Sequence, residues 1–277
     1  MKTSWTILIL TAIVLTACEK TITLDTEQAA PKIVIEGLVT NRTGYQYVKV
    51  SRSAGFYDAG KTPRITNALV QVEDDLGNIT DFIHNPGDHE DSVGYYKPDH
   101  SFAGEVGRTY TLTVQIDGQL YQATDQMLPV TTLDSLDYQV NEDELDDPDI
   151  EGKFYEVLMY AKEPRDTKDY YLFTFYRNDS LVFDSPTDVY VTDDLALGEE
   201  INGVPSPVYY GEGDTARVEA YSLTRQGYIF YSDLFSLLNN DGGMYSPPPA
   251  NSRSNLTNGA LGFFQVSAVD IKGILVE

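Results

Sequence analysis

The chain has 277 residues, with 43 acidic against 19 basic side chains, a formal charge of −24 and a single Cys. This acidic surplus argues against nucleic-acid binding and against a polybasic membrane contact, because both require clustered Lys and Arg. One Cys cannot form an internal disulfide framework or supply the several ligands of a structural zinc site. The length is sufficient for one large or two ordinary domains with packed cores.

The N-terminus resembles an export signal. Met1 and Lys2 precede an apolar run over residues 5–15, which is shorter than the roughly 20 residues that a membrane-spanning helix needs. The run ends in Leu15-Thr16-Ala17-Cys18, which is similar to the lipobox of bacterial lipoproteins, where the Cys is acylated and becomes the first mature residue. We therefore expect a signal peptide over residues 1–17, lipid attachment at Cys18 and a polar tether over residues 18–32.

Residues 33–130 are dominated by patterns with a period of two, which is typical of strands with one buried face. Residues 109–116 alternate in this way, and Asp117-Gly118 then predicts a tight hairpin to a partner strand over residues 119–124. About seven short strands in roughly 100 residues favour an immunoglobulin-like or transthyretin-like β-sandwich. The other predicted strands here cover residues 33–39, 45–51, 68–73 and 79–84.

Residues 131–277 are also rich in β-forming residues, so the expected fold class is all-β, with a second β-rich domain after the sandwich. Apolar residues recur at helical spacing between Arg225 and Asn240, and Gly242-Gly243 follows as a stop signal. We predict one helix over residues 225–240, packed on a sheet. The predicted strands of this region cover residues 154–161, 170–177, 181–184, 189–192, 215–223 and 263–269.

The densest acidic segment covers residues 134–151 and contains no Lys or Arg. Within it, Asp147, Asp149 and Glu151 precede Gly152 and are similar to the start of a calcium-binding loop. The twelfth position of that loop would be Leu158, where a bidentate Glu is needed. We therefore interpret the segment as a solvated loop between the domains, with calcium binding at these three carboxylates as the alternative. No other cofactor is expected.

The three histidines are His84, His89 and His100. Grouped together they would suit zinc or copper. Their spacing matches no compact ligand motif, and Val93 stands where a metalloprotease helix would need its second His. A loop region without metal is the preferred interpretation.

Signatures of catalysis are missing from the sequence. The segment Gly211-x-Gly213-x-x-Ala216 is similar to a dinucleotide fingerprint, but a strand pattern follows it and its acidic residues would repel phosphates, so it predicts a turn. No G-x-S-x-G sequence is present. A hydrolase with two catalytic carboxylates is left open, because any of the 43 acidic residues can meet in space.

Tyrosine is abundant, with 20 residues that include the doublets Tyr95-Tyr96, Tyr170-Tyr171 and Tyr209-Tyr210. Neighbouring residues of a strand point to opposite faces, so one ring of each doublet can be buried while the other is exposed. Exposed rings suit the recognition of sugars or proteins. Ordinary packing between strands explains most of them.

A distinctive segment lies near the C-terminus, where Ser246-Pro247-Pro248-Pro249-Ala250-Asn251 precedes Ser254-Asn255-Leu256-Thr257-Asn258-Gly259-Ala260-Leu261-Gly262-Phe263-Phe264. It resembles the C-terminal signature of the domain-of-unknown-function 4249 family, lipoproteins of Bacteroidota. The resemblance extends over essentially the whole mature chain. Further matching segments are Cys18-Glu19-Lys20, Ile33-Val34-Ile35-Glu36-Gly37, Ala68-Leu69-Val70-Gln71-Val72, Gly107-Arg108-Thr109-Tyr110-Thr111-Leu112, Leu133-Asp134-Ser135-Leu136 and Asp169-Tyr170-Tyr171.

The resemblance implies a lipoprotein of the outer membrane or cell surface, commonly encoded beside TonB-dependent receptors, and it implies no catalytic residues. Physically, the three prolines fix an extended segment and the Asn and Gly residues make turns. We expect this segment to cross and close the C-terminal domain. If it instead formed the lip of a binding site, replacing Asn255 and Asn258 by Ala would abolish binding without loss of stability.

The leading functional hypothesis is a non-enzymatic accessory lipoprotein that is anchored by Cys18 and works with a TonB-dependent receptor. The alternatives are a surface glycan-binding or peptide-binding protein that uses exposed tyrosines and a hydrolase based on two carboxylates. The identity of the ligand, and the face of the outer membrane on which the protein lies, are open at this point.

Overall fold

The computed structural model describes residues 30–54, 62–162, 168–182, 189–193, 200–240 and 250–277. It is mainly β, as predicted. The described strands are β1 (Ile33–Thr40), β2 (Tyr47–Arg52), β3 (Leu69–Asp74), β4 (Ile79–His84), β5 (Tyr95–Pro98), β6 (Thr109–Ile116), β7 (Gln119–Gln126), β8 (Leu133–Val140), β9 (Tyr155–Lys162), β10 (Tyr170–Arg177), β11 (Ser180–Leu181), β12 (Tyr190–Asp193), β13 (Glu200–Tyr210), β14 (Thr215–Ser222), β15 (Leu261–Ser267) and β16 (Val269–Leu275).

The first sheet contains eight strands in the order β15-β1-β2-β5-β4-β3-β6-β7. The seven N-terminal strands pair antiparallel, while β15 pairs parallel with β1. Within the hairpin of β6 and β7, Asp117 and Gly118 have positive φ angles of 50° and 79°, as the predicted tight turn requires. In β6, the residues that alternate in the sequence as apolar and polar also alternate in the structure as buried and more exposed.

The two edges of this sheet, β7 and β15, meet. The amide of Val266 donates to Asp125 Oδ2 at 3.0 Å, and Leu128 forms a parallel bridge with Ser267. The sheet thus curls around one hydrophobic core, in a sandwich-like or barrel-like arrangement. Five buried residues of that core come from the C-terminal part of the chain, namely Leu256, Ala260, Phe264, Val266 and Ala268.

The described part of the C-terminal signature segment, residues 250–264, therefore closes the first sheet, whereas the sequence predicted that the segment would close the C-terminal domain. The reason is the parallel pairing of β15 with β1, which joins residues more than 200 positions apart and leaves no local sequence signal. The three prolines of the segment lie outside the described residues. The division into domains between residues 130 and 131 stays a prediction, and the chain from Pro31 to Glu277 groups as one compact unit.

A second core lies between two smaller sheets. One has the order β11-β10-β14-β16, with β12 also paired to β10, and the other has the order β13-β9-β8. Both sheets contribute to one cluster of buried residues that includes Leu133, Tyr171, Phe175 and Tyr210. The strand predictions for residues 154–161, 170–177 and 215–223 correspond to β9, β10 and β14.

The acidic segment was predicted as a loop, and this is wrong for its first part, because residues 133–140 form β8. Leu136 and Tyr138 alternate with Asp137 and Gln139, so the strand pattern was present beneath the acidic composition. The strand pairs antiparallel with β9, and its acidic side chains face solvent. A short helix, α1 (Glu142–Asp146), follows it.

The predicted C-terminal helix is confirmed as α2 (Arg225–Leu238). Thr224 caps it, with its hydroxyl accepting from the amide of Gly227 at 3.3 Å. The helix packs on β10, β12 and β15. It ends at Leu238 with Asn239 as its C-cap, and the proposed stop signal Gly242-Gly243 lies outside the described residues, as do Cys18 and the signal peptide.

Candidate functional site

The three carboxylates that resemble a calcium loop do not form a site. Asp147, Asp149 and Glu151 are exposed, and among the described residues no three His, Cys, Asp or Glu side chains are grouped so as to hold a metal ion. The amide of Asp149 donates to Glu144 Oε2 at 2.9 Å, which means that the Glu144 carboxylate is bonded to the backbone of this loop.

The three histidines are likewise separate. His84 Nε2 accepts from the amide of Gly94 at 2.9 Å, while His100 Nδ1 lies 2.5 Å from Asp99 Oδ1. His89 is exposed. Each side chain therefore has its own local environment, and the structure does not bring the three together.

The glycine-rich segment at 211–213 forms the turn that the sequence predicted, and Asp214 organises it. Its carboxylate accepts from the amide of Gly211 at 2.8 Å, from Lys153 Nζ at 2.7 Å and from Asn178 Nδ2 at 2.7 Å. Burial alone would raise the pKa of Asp214, but these hydrogen bonds hold it below its ordinary value. In the structure the segment therefore serves the fold, as a turn that Asp214 holds in place.

A cleft of about 670 Å³ lies among the described residues. One wall is the outer face of β1 and β15, the second is the outer face of β10 and β14, and α2 forms the third. We call this space the aromatic cleft. It is lined by Val34, Glu36, Gly37, Leu38, Tyr45, Tyr47, Leu172, Thr174, Tyr176, Leu181, Tyr221, Phe230, Tyr231, Leu234, Leu237, Asn251, Ser252, Leu261, Gly262, Phe263 and Gln265.

Ring contacts and hydrogen bonds hold the helical wall in place. Phe230 on α2 stacks on Phe263 of β15, with ring centroids 5.0 Å apart and planes inclined by 23°. Next to it, the hydroxyl of Tyr231 donates to Gln265 Oε1 at 2.5 Å. Burial raises the pKa of Tyr231, so this hydroxyl stays protonated and remains a donor at any physiological pH.

A fully buried carboxylate, Glu219 on β14, lies behind two tyrosines that line the cleft. The hydroxyl of Tyr45 donates to its Oε1 at 3.1 Å, and the hydroxyl of Tyr221 donates to its Oε2 at 2.5 Å. Arg217 Nε lies 3.5 Å from the same carboxylate. Burial first, and then the charge of Glu219, raises the pKa of Tyr45 and of Tyr221. These contacts compensate the burial of the charge and fix both rings.

At the β1 and β2 side of the cleft, Glu36 is paired with Lys49, whose Nζ lies 2.8 Å from Oε1. Tyr47 is beside them, with its ring centroid 5.7 Å from that of Tyr95. Burial, with a further contribution from the charge of Glu36, raises the pKa of Tyr47. The cleft therefore has a broad apolar lining with a few polar groups, which is the usual composition of a small-molecule binding site.

Sequence reasoning did not find the cleft. One signal was available, since β10 (YYLFTFYR) is apolar on both faces, which indicates a strand that is covered on both sides. Tyr170 illustrates this point, because it is only 8% exposed and its ring lies against that of Tyr228 on α2, with the centroids 4.7 Å apart. The doublet pattern had left one ring free to be exposed.

A family model described as Domain of unknown function (DUF4249) matches residues 19–272. The chain belongs to this family. A search of curated proteins gives no match for this DUF4249 member. Among the described residues of this family member, no helix has the length and apolarity to cross a membrane.

Proposed function

We propose that this DUF4249 member is an outer-membrane lipoprotein, anchored through an acylated Cys18, that binds a ligand in the aromatic cleft as a non-enzymatic accessory of a TonB-dependent transporter. The observation that carries the binding function is the cleft itself, which has about 670 Å³ of space. Its aromatic and aliphatic side chains come from the sheet that contains β1 and β15, from the sheet that contains β10 and β14, and from α2. A volume of this size accommodates a small molecule.

The composition of the cleft favours binding over hydrolysis. A glycosidase needs two carboxylates that flank the bond to be cleaved, whereas Glu36 is the one carboxylate among the described lining residues. Glu36 is already paired with Lys49, and Glu219 is fully buried behind the tyrosines. This arrangement offers a surface for recognition and no paired acid and base.

The anchor is supported by the sequence Leu15-Thr16-Ala17-Cys18, which contains the single Cys of the chain. Several acyl chains would hold the protein firmly, since each buried CH₂ contributes about 0.8 kcal/mol. Metabolic labelling with a palmitate analogue tests this directly. We expect labelled protein in the outer-membrane fraction and loss of the label in Cys18→Ser, and labelling of Cys18→Ser would contradict the assignment.

The partnership with a transporter is supported by the lipoprotein family that the sequence resembles. To test it, the full-length tagged protein is purified from outer membranes in mild detergent and examined by native mass spectrometry. We expect a TonB-dependent receptor and a bound small molecule in the wild type. Preparations that contain neither, in parallel with a tagged unrelated lipoprotein as control, would refute the proposed function.

A further inference from the structure

Tyr47 on β2 presents an unused hydroxyl to the aromatic cleft. Within the part of the chain that the structure describes, this hydroxyl makes no hydrogen bond, although the other tyrosine hydroxyls on the cleft that were described above are paired. The raised pKa of Tyr47 means that the group remains a donor. The side chain is half-buried and its hydroxyl is not among the buried polar atoms that lack a partner, so it is accessible from the cleft and can donate to a ligand atom that accepts a hydrogen bond.

The rest of the lining is predominantly apolar. Fourteen side chains are aliphatic or aromatic, and the aliphatic ones come from β1, β10, β11, β15 and α2. A glycan would bring many hydroxyl groups that need polar partners, and burying them here without partners would cost free energy. The walls instead match a molecule that is mostly hydrocarbon, whose transfer from water is favourable by about 25 cal/mol per Å².

The charge around the cleft disfavours an anionic ligand. Glu36 lines the cleft beside Tyr47, and Glu219 lies directly behind Tyr45 and Tyr221. The basic side chains nearest to these carboxylates, Lys49 and Arg217, are already engaged by them. The whole chain has a charge of −24, so its field opposes the approach of an anion.

We infer that the aromatic cleft binds an uncharged, largely apolar small molecule with an oxygen acceptor that receives a hydrogen bond from the Tyr47 hydroxyl. This inference rests on the proposed binding function and names its ligand class. The apolar body contacts the leucines and rings of the three walls, while the single polar group sets its orientation.

The test is a displacement titration on the full-length protein at pH 8, with the fluorophore N-phenyl-1-naphthylamine as reporter. The competitors are 1-decanol and decanoate, which have the same chain length but differ in charge. We expect 1-decanol to displace the reporter at least tenfold more effectively than decanoate. Tyr47→Phe should weaken 1-decanol about fivefold, as expected for one neutral hydrogen bond, while Tyr95→Phe, whose hydroxyl does not line the cleft, should not.

A second pair of variants locates the site. Leu234 and Leu238 lie one turn apart on α2, but Leu234 lines the cleft, whereas Leu238 is 39% exposed and outside the cleft lining. We expect Leu234→Glu to abolish reporter binding and Leu238→Glu to leave it unchanged. Circular dichroism and thermal melting confirm that each variant is folded.

The outcomes separate the two proposals. If the reporter does not bind, or binds equally well to Leu234→Glu and Leu238→Glu, the cleft is not the binding site, and both the proposed binding function and the inferred ligand class fail. If the reporter binds in the cleft but decanoate competes as well as 1-decanol, or Tyr47→Phe has no effect, the ligand class is wrong while the site stands.

Discussion

Asn255 should contribute to stability through the backbone of β15. Its Nδ2 donates to the carbonyl of Phe264 at 2.8 Å, and its Oδ1 accepts from the amide of the same residue at 3.0 Å. The side-chain amide of Asn255 therefore pairs with both backbone groups of Phe264, as a neighbouring strand would do. Phe264 is fully buried in the first core, so Asn255→Ala leaves two backbone groups next to that core without partners.

The expected cost follows from those two groups. An unsatisfied buried donor or acceptor costs about 1–3 kcal/mol, and the partial exposure of Asn255 lets water compensate in part. We therefore expect Asn255→Ala to lower the free energy of unfolding by about 3 kcal/mol. For a folded body of this size, that corresponds to a decrease in melting temperature of about 8 °C.

Urea denaturation followed by circular dichroism measures this change. Asn255→Asp keeps the acceptor for the Phe264 amide but cannot donate to its carbonyl, so it should fall between wild type and Asn255→Ala. Asn67→Ala is the matched control, because Asn67 is exposed and makes no side-chain hydrogen bond among the described residues. If Asn255→Ala unfolds like wild type while losing reporter binding in the cleft, the segment is a binding lip and the structural argument is refuted.

Three further changes probe the fold and its charges. Gly262→Ala should cost more than about 2 kcal/mol of unfolding free energy, because the backbone has a φ of 97° and a Cβ would lie 2.1 Å from the carbonyl oxygen of Ile35. The control is Gly107→Ala, which has a φ of 90° and open space around it and should cost about 1 kcal/mol. Equal losses in the two variants would contradict the steric argument. Burial raises the pKa of Asp125 to about 6. The stability that the protonated carboxyl contributes is therefore complete below the pKa of Asp125 in the unfolded chain, and it is lost as the pH rises through 6. From pH 4 to pH 7 the wild type should therefore lose about 2 kcal/mol relative to Asp125→Asn in urea titrations, and a pH-independent difference would disprove it. Asp214→Ala should lower the free energy of unfolding by about 3 kcal/mol, measured in the same way, since three donors lose their acceptor; a wild-type midpoint would contradict this.

Local pattern identified most of the strands. The hairpin at Asp117 and Gly118, the strand over residues 79–84 and the helix that starts at Arg225 all depend on neighbours in the chain, so periodicity and turn residues were enough to predict them. The strand over residues 133–140 was missed because the acidic composition was weighted above the alternation of Leu136 and Tyr138.

The candidate site could not be predicted in the same way. Tyr47, Tyr221 and Phe230 belong to β2, β14 and α2, and nothing in their local sequence relates them. The two-faced pattern of β10 indicates that both of its faces are covered, but not by which element. The calcium motif failed for the opposite reason, since a correct spacing over a few residues did not bring Asp147, Asp149 and Glu151 together as ligands.

The sequence by itself determined the mainly β composition and the family, because these depend on residue content, period and linear motif. Only the tertiary structure decided that residues 261–267 pair with residues 34–40 and close the first sheet. It also decided that the aromatic cleft exists, because a cleft is a space between walls that the chain brings together from positions far apart. Local propensity acts over a few residues, whereas the cost of closing long loops is recovered only when distant strands pair and bury a common core.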